Sequence, residues 1–254
     1  MSASEFTLSL ADILARIIDS FRINDVEANK NFVLKRRRRG RGWVIFAGNI
    51  FLWLSHSRIV MFPSTRAWQS HECQSFNLLH GMGCDPIGGD SIRVRRLKGQ
   101  PLLTHLGNGR LTVEMLYAAA EEFQRAHRLG WSHGDPHLNN VLWDGERAYL
   151  IDFETRHIQR LSIIERRADD LLVFLLDLSG RAPENQWNLL CEAVLSAYQD
   201  RVVMAALLER LRMPRGWEAI LWKSRTNHLS APILASRIDQ LRRLVEVQIN
   251  QNEN

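Results

Sequence analysis

Lysine is nearly missing from this chain. Of 33 basic residues only Lys30, Lys35, Lys98 and Lys223 are lysine, which leaves 29 arginines. Chemistry that needs a lysine amine in the first half of the chain therefore has few residues to draw on. Cysteine is scarce as well: Cys73, Cys84 and Cys191 are odd in number and form no C-x-x-C pair. That argues against a zinc site or disulfide framework and for a reducing compartment. The longest uncharged stretch, Gly42 to Ser57, contains Asn49, Ser55, His56 and Ser57 and is too short and polar to span a bilayer. The opening residues MSASEFTLSLADILARIIDSF lack a basic n-region and carry Glu5, Asp12 and Asp19, so a cytoplasmic protein is expected rather than a secreted one. No serine sits in a G-x-S-x-G elbow, which removes support for a hydrolase triad. Internal repeats and flexible linkers are missing too.

What is present suits one bilobal unit of 254 residues, with 45% hydrophobic residues and a formal charge of +5. So mild an excess does not by itself imply nucleic acid, and no aromatic RNP-like motif accompanies it, so nucleic acid is not an expected partner. Phe6, Leu10, Ile13, Leu14, Ile17, Ile18 and Phe21 recur at helical steps and predict an amphipathic helix. From Asn31 to Phe62 the β-branched and aromatic content predicts strands with turns, although Ile50 to Leu54 also fits a helix. Trp68 to Leu79 predicts a helix capped by Ser64 or Thr65, Ile92 to Arg95 a strand, and Leu111 to Leu129 a second helix. Asp144-Gly145 between Val141-Leu142-Trp143 and Ala148-Tyr149-Leu150-Ile151 predicts a hairpin. Beyond Asp169 the chain reads as helical nearly throughout. The expected class is α+β, one domain over 1–254, with a small strand-rich lobe to about residue 98 and a mainly helical lobe with a helical extension from about residue 99.

The segment His133-Gly134-Asp135-Pro136-His137-Leu138-Asn139-Asn140 and the later Leu150-Ile151-Asp152-Phe153-Glu154 carry the chemistry. An aspartate is followed five positions on by an asparagine, and a second aspartate lies beyond the hairpin that folds it back. Phosphoryl transfer uses such groups: a carboxylate to take the acceptor's proton, and an oxygen pair for Mg²⁺ on a triphosphate. His127, His133 and His137 do not suit a metal cluster, because Pro136 breaks the helix their spacing would need.

These residues resemble the H-x-D-x-x-x-x-N loop and D-F-G motif of the kinase-like superfamily. The resemblance implies a kinase-like fold that uses ATP and Mg²⁺. It implies Asp135 as catalytic base, Asn140 and Asp152 as magnesium ligands, and His133 as the structural histidine of the loop. Asp170 resembles the buried aspartate that ties this loop to the next helix, and Asp169 fits as well. A strand lysine and helix glutamate that contact the phosphates are matched best by Lys35, after Phe32-Val33-Leu34, and Glu72. A competing register makes Gly40-Arg41-Gly42 the phosphate loop and Arg58 to Phe62 the third strand.

Over about residues 30 to 180 the chain resembles small atypical bacterial kinases, especially the Kdo and heptose kinases of lipopolysaccharide synthesis and RIO-like kinases. The likeness rests on Leu34 to Gly40, Thr65 to Gln69 with Leu78-Leu79, Leu97 to Leu103, and Leu150 to Phe153. Glu154 stands where the family has glycine, and no A-P-E follows in the short run to Asp170. The expected acceptor is therefore a sugar hydroxyl on an acidic glycolipid rather than a peptide. The basic run Lys35 to Arg41 would meet phosphates on that acceptor or on an anionic membrane surface. A minimal serine/threonine protein kinase and a nucleotide-binding pseudokinase scaffold are the alternatives.

Overall fold

The computed structural model describes residues 24–38, 40–214, 216, 218–219, 222, 226 and 229–251. The apolar stripe from Phe6 to Phe21 lies outside them. Strand β2 (Phe32–Arg37) organises the front of the molecule. Alternation places Val33, Lys35 and Arg37 on one face of it. Strand β1 (Asn24–Ala28) pairs antiparallel with β2, setting Val26 opposite Lys35. Asn29 shapes the turn between them, its Oδ1 accepting the N–H groups of Asn31 and Phe32. With β4 (Cys84–Ile87) and β5 (Ser91–Arg95) these strands form a sheet in the order β1-β2-β5-β4.

The stretch 43–62 departs from the strand reading. Gly42–Leu54 is a helix, α1, followed by the short strand β3 (Ile59–Met61). Nearly every position of this run is apolar, so periodicity alone does not separate helix from strand. Tertiary contacts decide. Ile45 is buried, Asn49 bonds both the N–H and the C=O of Met61, and Gly48 leaves room for the Met61 side chain. Strand β3 pairs with β9 (Thr155–His157) and not with the main sheet. Gly42 therefore opens a helix, and the register that made Gly40-Arg41-Gly42 a phosphate loop before a third strand at Arg58 to Phe62 is not the one adopted.

Helix α2 (Thr65–His80) starts at Ser64, whose Oγ accepts the Ala67 N–H. It buries Trp68, Glu72, Cys73, Phe76 and Leu79 at helical spacing. The structure joins Cys73 to Cys84 in a disulfide, contrary to the expectation of free thiols in a reducing compartment. The turn Gly81–Gly83 folds β4 back along α2, a proximity that an eleven-residue spacing does not reveal.

Behind the sheet, β6 (Gln100–Pro101) runs into helix α3 (Leu102–Gly107), and α4 (Val113–Arg128) follows. Strands β7 (Val141–Trp143) and β8 (Ala148–Leu150) form the expected hairpin at Asp144-Gly145. Helix α5 (Ile163–Arg181) opens on a Ser162/Glu165 capping box and is buried from Ala168 to Gly180. Helices α6 (Trp187–Ala197), α7 (Arg201–Arg210) and α8 (Ala231–Gln251) surround it. The main core lies here, with Phe123 edge-on to Phe174 at 5.1 Å. Strand-rich front and helical back give the α+β arrangement. Among the described residues no helix is long and apolar enough to cross a membrane.

Candidate active site

Lys35 Nζ stands 2.5 Å from Glu72 Oε1 and 2.6 Å from Asp152 Oδ1. Strand β2, helix α2 and the segment after β8 thus meet at one ammonium group. Burial alone would lower the lysine's pKa, but the Asp152 and Glu72 carboxylates outweigh it and hold the ammonium above its ordinary range. Burial would likewise raise Asp152, and Lys35 reverses that to keep its carboxylate ionised. Glu72 goes the other way: burial raises it and Lys35 only partly compensates. Burial and the neighbouring Asp152 push the Glu154 carboxyl up to about 8, and Glu154 Oε1 accepts a hydrogen bond from Asn24 Nδ2 at 2.5 Å. Asp152 is thus the carboxylate held ionised, while Glu72 and Glu154 are raised, and a divalent cation bound there would favour their ionised forms.

Asp152 has φ 70, a left-handed conformation rare for a side chain other than glycine. Such backbone strain, about 1–3 kcal/mol, persists where surrounding contacts over-determine it. Here the lysine holds the carboxylate, and Ile151 just before it is tied at both backbone groups. The Ile151 N–H bonds Asn140 O at 2.9 Å, and its C=O accepts the His133 Nε2–H at 2.8 Å.

The loop that carries Asp135 is held from below. Asp170 Oδ2 accepts the His133 N–H and Oδ1 the Gly134 N–H, each at 2.8 Å. His127 Nε2 donates to the same carboxylate at 3.0 Å and bonds Tyr198 through its other nitrogen. Burial would raise Asp170, but His157 and His127 outweigh it and keep the anion. Asp169 points elsewhere, towards Arg58, Arg210 and His157 at 3.4–3.7 Å. His133 donates through Nε2, accepts the Asp135 N–H at Nδ1, and packs on Phe153 at 4.8 Å. Burial lowers its pKa, in keeping with that neutral tautomer. Gly134 has φ 90, and a Cβ there would approach Thr155 Oγ1 to 3.1 Å, so the position demands glycine.

Asn140 closes the loop's short 3₁₀ turn, Leu138–Asn140. Its Nδ2 donates to Asp135 O at 3.0 Å, which leaves the amide oxygen as its donor atom for a cation. The sequence reading missed Asp177, whose Oδ2 accepts the Leu138 N–H at 2.9 Å. It also missed Arg37, buried behind Lys35 and bonded to Phe62 O. Asp177 lies seven residues, two helical turns, beyond Asp170, and that spacing was the available signal.

Lys35, Glu72, Asn140 and Asp152 line one cleft of about 340 Å³. Val26, Ala28 and Val33 form one wall, Leu142 and Ile151 the other, and the stretch Arg95–Gly99 closes the back. Gly99, with φ 108, is a second position that tolerates no side chain, since a Cβ would sit 2.4 Å from Trp143 O. A narrow apolar slot with a charged end suits a flat ring that carries an anionic tail. Asp135 is not part of the lining, although its loop is bonded to Asn140, which is.

Residues 89–159, which include the Asp135 loop, the hairpin and Asp152, match the phosphotransferase enzyme family APH. Over that segment the chain is similar to phosphotransferases. The chain is 36% identical over 74 residues to a probable bifunctional tRNA threonylcarbamoyladenosine biosynthesis protein of Haloquadratum walsbyi, covering 29% of the chain and 14% of that relative. The bifunctional kinase-methyltransferase WbdD overlays on 87% of it at 16% identity and a TM-score of 0.46, with 47% of that longer chain covered. The chain thus spans under half the length of either protein.

Proposed function

We propose that the chain transfers the γ-phosphoryl group of Mg-ATP to an acceptor hydroxyl. The observation that carries the reading is the Lys35 ammonium, held between Glu72 and Asp152 at the charged end of an apolar-walled cleft. The residues fit the nucleotide and its metal. Asn140 and Asp152 offer hard oxygen donors suited to Mg²⁺, which binds through one or two protein ligands together with phosphate oxygens. Bound Mg-ATP would supply the phosphoryl donor and neutralise the charge that develops on it.

The roles of the protein groups follow from their chemistry. Val26, Val33, Leu142 and Ile151 would sandwich the base, and Lys35 would bind the phosphates while Glu72 fixes its rotamer. Asp135 would accept the acceptor's proton. The acceptor that suits the site is a sugar hydroxyl of a lipopolysaccharide-type glycolipid or another non-protein molecule. Support comes from the segment after Asp152: Thr155–His157 pairs with β3 and helix α5 begins at Ile163, so little chain is left to seat a peptide.

The test is incubation with γ-labelled ATP and Mg²⁺, offering cell lipids, sugars and proteins separately. Label is expected in the glycolipid or sugar fraction, and label confined to protein would favour a minimal protein kinase. With nucleotide present, wild type should show a magnesium-dependent thermal shift and Asp152→Asn should lose it. An unchanged shift counts against Asp152 as the metal ligand.

A further inference from the structure

Helix α1 turns its most apolar side to solvent. Trp43 is 64% exposed, Phe46 67% and Trp53 74%, with Ile50 and Leu54 each at 43%. At about 100° per residue these five positions share an arc of about 100°. Outside this arc Ile45 is buried, and half-buried Asn49 fixes the helix to Met61. A surface helix of a water-soluble domain has the reverse polarity. The chain beside it is basic: from Lys30 to Arg58 it has eight Lys and Arg residues and no Asp or Glu, and of the described ones Lys30, Arg36, Arg38, Arg41 and Arg58 lie outside the cleft and core that take Lys35 and Arg37. Acidic groups from other segments offset only part of this. Asp25 pairs with Arg38 at 2.5 Å, Asp90 lies 4.0 Å from Arg36, and Glu165 and Asp169 lie near Arg58.

We propose that α1 is an interfacial anchor that lies flat in the headgroup region of an anionic bilayer. Trp43 and Trp53 stand near its two ends, with Phe46 and Ile50 between them and Leu54 beside Trp53. Tryptophan prefers the membrane–water interface, and arginines beside an apolar stripe add attraction to anionic headgroups. The helix is about 20 Å long and does not span a bilayer. A second copy of this chain suits the face less well, because it would bring two arginine rims together.

The anchor has a consequence that rests on the phosphotransferase reading. Helix α1 sits on β3, β3 pairs with β9, and β9 begins at Thr155, directly after Asp152-Phe153-Glu154. Docking therefore sets the Asp152 segment beside the bilayer, where an acceptor hydroxyl carried by a lipid would be presented.

The test is sedimentation of the full chain with vesicles of phosphatidylcholine containing about one-third phosphatidylglycerol. Wild type should sediment with them, less at high salt and less with phosphatidylcholine alone. The variant Trp43→Ser/Phe46→Ser/Trp53→Ser should lose binding by about tenfold or more at unchanged melting temperature, since these side chains are exposed. Arg36→Gln/Arg41→Gln, which leaves the stripe intact, should reduce the preference for anionic vesicles. Wild type that stays in the supernatant, or a triple variant that binds equally well, overturns the proposal. So does light scattering that shows a wild-type dimer and a monomeric triple variant, which would make α1 a self-association face. None of these readouts needs turnover, so failure of docking and failure of the phosphotransferase reading are seen separately.

Discussion

The Asp170 carboxylate accepts the backbone N–H groups of both His133 and Gly134 at 2.8 Å, across more than thirty residues of sequence. Asp170→Ala would leave two buried amide donors without a partner, each worth about 1–3 kcal/mol. A loss of about 3 kcal/mol or more in urea-unfolding stability is expected. Asp169→Asn, which disturbs only the Arg58, Arg210 and His157 contacts, should cost clearly less. Equal losses would show that Asp170 is not the loop's main anchor.

Asp135→Asn keeps the loop's shape and its backbone bond to Asn140. Removing a general base typically costs about 10²- to 10⁴-fold in rate. Phosphate transfer should fall by that order, while Mg-ATP still raises the melting temperature as in wild type. Retained turnover would remove the carboxylate from its proposed role.

Lys35→Met replaces the ammonium shared by Glu72 and Asp152 with a neutral chain of similar length. A drop of roughly 10²- to 10³-fold in kcat is expected, the scale of losing one electrostatic stabiliser. Glu72→Gln should be milder, because the lysine keeps Asp152 as a partner. Full activity in Lys35→Met would transfer the phosphate-binding role to another cation.

His80 links α2 to the hairpin, donating from Nε2 to Leu150 O at 2.7 Å. Its Nδ1 is buried without a hydrogen-bond partner among the described residues, and burial lowers the pKa from 6.5 to about 4. In the unfolded chain the same ring takes up a proton near pH 6.5. Between pH 6.5 and 4 the unfolded state therefore binds more protons, and stability falls as pH falls. The contribution, on the order of 2 kcal/mol, is full above pH 6.5 and lost below about pH 4. His80→Gln can still donate to Leu150 O but does not titrate. Its unfolding free energy should vary less with pH across this window, and parallel curves for the two proteins would count against His80.

The sequence by itself determined what depends on near neighbours. The Asp135-to-Asn140 spacing, the Asp144-Gly145 hairpin, the Ser64 cap and the helical stripe of Val113–Arg128 all rest on turn chemistry and short-range periodicity. Scarcity of lysine narrowed the front lobe to Lys35 because so few other amines exist. Tertiary structure alone decided what depends on distant partners. Asp169 and Asp170 are adjacent and chemically identical, and only the direction each takes from α5 separates them. Cys73 and Cys84 meet because β4 folds back on α2. Gly42–Leu54, apolar at nearly every position, is helical because Gly48 and Asn49 fit against Met61, and β3 leaves the main sheet to pair with β9. The apolar pattern says that such a segment is not solvated like a loop. It does not say which neighbour takes up each backbone group and side chain, and that selection, made over distances of tens of residues, set the final fold.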